Sequence, residues 1–235
     1  MGYGMFDPTF VLLIPAMIFA FFAQTKVQSA YRTYAGVRNR KGITVAEAAR
    51  LILDRNGLGY VEIRMTQGKL TDHYDPRKKV MMLSAAVYGE PSIASVSIAA
   101  HEAGHAIQDG QHYPALRVRN TIAPLVSIAS NLSWPLLLLG IIIISAGYYS
   151  GGNMIFNIGI FLFVGVILFH AVTLPVEFNA SRRAVDQLLE LGIILEDERS
   201  GARKVLSAAA LTYVAALAVA VSNLIRILSF AVFLL

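Results

Sequence analysis

The 235-residue chain contains no cysteine, which excludes disulfides, iron–sulfur clusters and every thiolate-ligated metal site. Charge is scarce too: Asp, Glu, Lys and Arg make up 15% of the residues against 56% hydrophobic ones. So apolar a chain is neither a disordered segment nor a small secreted scaffold, and it carries more apolar residue than one soluble core needs. Histidine is limited to five, so a bound metal must draw on those imidazoles and on carboxylates. The net charge of +5 reports topology and contact with anionic lipid in a membrane chain. No aromatic residues interleave the basic ones as a nucleic-acid surface requires, so no nucleic-acid partner is expected.

What is present is a set of long uncharged runs, between Asp7 and Lys26, between Arg119 and Glu177, and between Lys204 and Arg226. The middle run, residues 120–176, is too long for one crossing and fits two joined by a turn at Ser150-Gly151-Gly152-Asn153. The pattern predicts four transmembrane helices near 8–25, 121–148, 154–175 and 206–232. The first lacks a basic start and a small-residue cleavage site, and reads as an uncleaved anchor rather than a signal peptide. Segment 26–120 carries 14 Lys and Arg and segment 176–204 carries 5. Basic loops stay inside, which puts both segments in the cytoplasm and the termini and short turn outside. The layout is therefore helix one within 1–25, a cytoplasmic segment over 26–120, helices two and three within 121–175, a cytoplasmic helix over 176–204 and helix four within 205–235.

Inside 26–120, Thr44-Val-Ala-Glu47 is a capping box that opens an amphipathic helix, and Asn56-Gly57 offers its C-terminal cap. Tyr60–Met65 alternates, Thr66-Gln-Gly68 turns and Lys69–Tyr74 alternates again, which predicts a hairpin, with a third strand near Lys79–Ser84. This is a small α+β unit attached to a mainly α membrane protein.

Pro91-Ser92 starts a further helix, which carries His101-Glu102-Ala103-Gly104-His105. This is the pattern H-E-x-x-H. Positions i and i+4 share a helix face, so His101 and His105 can hold one Zn²⁺ while Glu102 projects beside it as a general base for a water attacking a peptide carbonyl. The expected chemistry is metal-assisted amide hydrolysis. The rival reading is a pair of ordinary surface histidines.

Catalytic zinc needs a third protein ligand and an open position. The metzincin spacing fails, because Gln108 and Gln111 stand where it requires Gly and His, and His112 falls one residue late. Glu177, in Glu177-Phe-Asn-Ala-Ser-Arg-Arg-Ala184, is the better candidate, since small residues at 180, 181 and 184 let this segment press against the metal helix. Read from the residues alone, it is equally a charge at a helix end by the membrane surface.

Three stretches carry a family likeness: Ala99-Ala-His-Glu-Ala-Gly-His-Ala-Ile-Gln108, Leu70-Thr-Asp-His-Tyr-Asp-Pro76 and Pro175-Val-Glu-Phe-Asn-Ala-Ser-Arg-Arg-Ala184. Through them the chain resembles the YugP-type membrane neutral zinc metallopeptidases over nearly its whole length. More distantly it is similar to the HtpX-like and prenyl-protein membrane proteases, where a glutamate in E-x-x-x-D completes the zinc site. The resemblance implies a zincin-like metalloprotease unit, with His101, His105 and Glu177 as ligands and Glu102 as base. It also implies residence in a bacterial cell membrane and protein or peptide substrates. The sequence departs at Ser181, which stands where the distant relatives carry Asp.

Other ionisable residues have simpler readings. His73 caps a turn or, alternatively, stabilises an oxyanion. The strand at Val80–Ser84 is either a sheet edge that pairs with extended substrate or an internal strand. Arg226 snorkels near the outer end of the last helix, and His170 packs within helix three or faces a cavity. Arg182 and Arg183 anchor the inner face or hold a substrate carboxylate. Two rival functions remain, a silent scaffold with a structural zinc and a zinc transporter; a transporter is expected to line its membrane helices with ionisable groups, which are almost lacking here.

Overall fold

A computed structural model describes residues 8–68 and 71–234. The chain is a mainly α membrane protein with a small α+β region. In order, the elements are α1 (Ile14–Ala35), α2 (Val45–Arg55), β1 (Glu62–Thr66), β2 (His73–Asp75), β3 (Val80–Ser84), α3 (Ala85–Tyr88), α4 (Ile93–Gly110), α5 (Pro114–Ser145), α6 (Tyr149–Glu190) and α7 (Arg199–Leu234). Among the described residues four helices are long and apolar enough to cross a membrane, those that contain α1, α5, α6 and α7. The described residues divide into two compact units, one drawn from 8–22, 118–173 and 213–234, the other from 23–68, 71–117 and 174–212.

The first unit is helical among its described residues apart from the turn at Ala146–Tyr148. Leu137 and Ile144 of α5, Phe156 and Phe163 of α6 and Ile227 of α7 form its core. Large apolar side chains also point outward, with Phe161 76% and Phe21 72% exposed, an arrangement that water would penalise and lipid accepts. The Arg226 guanidinium lies 5.6 Å from the centre of the Phe10 ring, a cation–π contact that holds this charge within an apolar helix. The turn between the second and third spans falls at Ala146–Tyr148 rather than at 150–153, because Gly147 takes a φ of +90° that ends α5, and Ser150–Asn153 already belong to α6. Pro124, Pro135 and Pro175 all sit inside continuous helices.

The second unit holds the α+β region. The Thr44–Glu47 capping box forms as expected, and the apolar face of α2 (Val45, Ala48, Ala49, Ile52, Leu53) is fully buried. It packs with Met81 and Leu83 of β3, with Val96, Ala99 and Ala103 of α4 and with Leu188 of α6. The sheet order is β1-β3-β2. The expected hairpin does not form, since β1 pairs in parallel with β3 (Glu62 with Val80 to Thr66 with Ser84) and β2 pairs antiparallel with β3 (His73 with Met82, Asp75 with Val80). Lys69 and Leu70, where the second hairpin strand was expected to start, lie outside the described residues. The internal reading of β3 is the one the structure gives. Its run Val80-Met81-Met82-Leu83 is buried on both faces while β1 is half exposed, so burial of the more apolar strand sets the order.

Two contacts tie the sheet down. The Asp72 carboxylate accepts from the Ser84 backbone N–H at 2.7 Å and from its hydroxyl at 3.0 Å, which closes the end of β3 beyond β2. Asp109 of α4 accepts from the Tyr74 hydroxyl at 2.7 Å and pairs with Lys79, fastening the sheet to the α4 helix. Burial and that hydrogen bond push the Tyr74 hydroxyl well above its ordinary pKa.

Candidate metal centre

The α4 helix begins where Ser92 accepts the Ser95 backbone N–H at 3.1 Å, an N-cap that fixes the helical phase of everything after it. That phase puts His101 and His105 on one face. Their rings stand 4.7 Å apart at 81°. Opposite them comes Glu177 of α6, 2% exposed, and the two helices meet unusually closely: a Cβ added to Gly104 would lie 2.7 Å from the Ala180 carbonyl oxygen. Glycine at 104 and alanine at 180 are what let the carboxylate reach the imidazoles.

The Glu177 Oε2 atom lies 3.2 Å from His101 Nε2 and 3.6 Å from His105 Nε2, and one ligand atom from each of the three residues falls within 4.8 Å of the others. Ligand bonds of about 2.0–2.1 Å at tetrahedral angles require donors roughly 3.3–3.4 Å apart. The two separations to Glu177 bracket that value, so the carboxylate stands from both imidazoles as a zinc ligand would, and two imidazoles with a carboxylate are a donor set that suits zinc.

The outer ring nitrogens explain why the Nε2 atoms face inward. The Gln108 side chain, fully buried, donates through Nε2 to the Val176 carbonyl at 2.8 Å and to Asn179 Oδ1 at 2.9 Å. A carbonyl can only accept, so the amide nitrogen must face it. That leaves Gln108 Oε1, 3.0 Å from His105 Nδ1, to accept the ring N–H. In the neutral ring this leaves the His105 Nε2 lone pair facing the Glu177 carboxylate, an arrangement that a cation between them satisfies. On the other imidazole, the Ser181 hydroxyl lies 3.2 Å from His101 Nδ1. The position that departs from the distant relatives thus still partners a histidine. Burial opposes charge on His105, but the neighbouring carboxylates of Glu177 and Glu102 outweigh it and raise its pKa, the same field that favours a metal cation.

Glu102 follows His101 directly on α4, half-buried, and its carboxylate takes no hydrogen bond among the described residues. His73 is elsewhere: it is exposed on β2, with Nδ1 at 2.8 Å from the Thr71 carbonyl, the turn contact expected of it. Arg183 reaches Asn179 Oδ1 and Gln111 Oε1, both at 2.7 Å, and so braces the segment behind the imidazoles. Gln108, Asn179 and Arg183 were not assigned this bracing role from the sequence. The signal for Gln108 was its spacing, one turn beyond His105 on the same face.

Fold and site together describe a membrane protein with a His–His–carboxylate group of the kind that can hold a metal ion. Residues 9–232 match the model of the family described as "Putative neutral zinc metallopeptidase", and the chain belongs to that family. It is 46% identical over 215 residues to "Putative membrane protease YugP" of Bacillus subtilis (strain 168), covering 92% of each chain. No solved structure matches it.

Proposed function

We propose that this protein is a membrane-embedded zinc endopeptidase in which His101, His105 and Glu177 hold the metal and Glu102 is the general base. The observation that carries the reading is the convergence of two Nε2 atoms on one buried carboxylate with an unengaged glutamate beside them. Zinc held there supplies Lewis acidity, polarising a carbonyl and making water a competent nucleophile near neutral pH. Glu102 accepts the proton of the attacking water as its oxygen bonds to the peptide carbonyl carbon, then delivers that proton to the leaving nitrogen as the C–N bond breaks. Gln108 and Ser181 keep the imidazole rings oriented while this happens.

Segments 26–120 and 176–204 form the cytoplasmic part in this reading, between spans within 1–25, 121–175 and 205–235, because they carry 19 of the 20 Lys and Arg. Substrates are membrane-associated or misfolded proteins, presented at the inner surface. Glu102→Gln separates an enzyme from a scaffold that keeps zinc for structure. The variant is expected to retain one zinc per chain and to lose hydrolysis of a denatured model protein by at least about a hundredfold. Equal activity in the variant and the wild type overturns the proposed role of Glu102.

A further inference from the structure

A second site lies away from the metal, within the second unit. A cavity of about 720 Å³ opens between the C-terminal part of α6 and the first turns of α7. Four cationic side chains line it, Arg182, Arg199, Arg203 and Lys204, against two acidic ones, Asp186 and Glu196. Glu196 is already bound to Arg199 at 2.8 Å. Neither Asp197 nor Glu198 relieves the remaining charge, since Asp197 pairs with Arg40 and Glu198 accepts from the Leu195 and Arg40 backbone N–H groups. Among the described residues Arg182, Arg203 and Lys204 form no ion pair, and Arg199 Nε is buried with no hydrogen-bond partner.

This concentration of charge is locally unfavourable. Arg199, Arg203 and Lys204 occupy the first two turns of α7, the end at which the helix dipole is positive and a cation is disfavoured. A bound anion relieves both the mutual repulsion and the conflict with the dipole. The same cavity has an apolar wall, made by Leu206, Ala210 and Phe178, and Phe178 is 50% exposed. A small soluble anion has no use for such a wall. A molecule with a phosphate at one end and acyl chain at the other uses both.

We propose that this cavity binds the headgroup of an anionic phospholipid, with phosphate on the cations and the start of the acyl chains against Phe178, Leu206 and Ala210. The site is independent of the zinc reading, although Ser181, which touches His101, also lines it.

The test is native mass spectrometry of the full chain in neutral detergent, titrated with short-chain phosphatidylglycerol, phosphatidylcholine of the same chains, and inorganic phosphate. Phosphatidylglycerol is expected to bind most tightly. Arg203→Gln with Lys204→Gln is expected to weaken it by about 25-fold, at about fivefold per cation, and to leave phosphatidylcholine unchanged. If that pair of changes abolishes cooperative melting, Arg182→Gln, exposed and on the other helix, carries the test with an expected loss of about fivefold. Equal affinity for the two lipids, or unchanged affinity in the variants, overturns the proposal. Inorganic phosphate binding as tightly as phosphatidylglycerol also overturns it, by assigning the site to a soluble anion.

Discussion

Gln108 Oε1 lies 3.0 Å from His105 Nδ1, and the rest of the Gln108 amide is committed to the Val176 carbonyl and Asn179. The neutral ring is thereby held in one tautomer, with Nδ1–H toward Gln108 and Nε2 left to face the metal position. Gln108→Leu removes the acceptor while preserving bulk, and is expected to lower zinc affinity 10- to 100-fold, roughly the range for losing such a supporting bond. Gln108→Glu keeps an acceptor and is expected to lose less. Competitive titration with a chromogenic chelator measures both; equal affinity in Gln108→Leu and the wild type contradicts the assignment.

Gly104 faces the Ala180 backbone at a distance no side chain tolerates. Alanine ordinarily gains about 1 kcal/mol over glycine inside a helix, whereas overpacking against backbone costs about 1–3 kcal/mol. The obstacle is a carbonyl and cannot swing away, so the second effect wins. Gly104→Ala is expected to lower the melting temperature and to loosen metal binding, because α6 must retreat and take Glu177 with it. Gly165→Ala, at a helical site with open space, is expected to do neither. A Gly104→Ala protein that melts and binds zinc like the wild type would show that the close approach is dispensable.

The capping box at the start of α2 gives a pH dependence. Glu47 accepts from the Thr44 backbone N–H and hydroxyl, each at 2.8 Å, and these bonds lower its pKa. A depressed carboxylate stabilises the fold fully above its unfolded value, about 4.3, and the contribution is lost as pH falls through the folded value. The melting-temperature gap between the wild type and Glu47→Ala is therefore expected to narrow between pH 6 and pH 3. A gap that stays constant over that range would assign the effect to packing rather than to the charge.

How much of this was legible in the sequence depended on whether the signal was local. The H-E-x-x-H face of α4, the Thr44–Glu47 cap and the apolar spans are each written within a few turns of chain, and each was readable. Helix ends were less so: α6 runs on to Glu190 through Pro175, because neighbouring groups can satisfy the carbonyl that proline leaves unbonded. Strand partners were not readable at all, since alternation marks a strand without naming its neighbour, and β1 proved to pair with β3 rather than with β2. Glu177 was a candidate from its small flanking residues, but the family likeness was needed to prefer it. The brace from Gln108 to Asn179 and Arg183 spans more than 70 residues of sequence and became visible only in three dimensions.

The central claim is a metal shared between α4 and α6, and zinc-edge anomalous diffraction from crystals of the full chain tests it most directly. The account predicts one peak about 2.0–2.2 Å from His101 Nε2, His105 Nε2 and a Glu177 oxygen. A peak bound by the two histidines with Glu177 out of reach, or a peak at some other cluster, would contradict it.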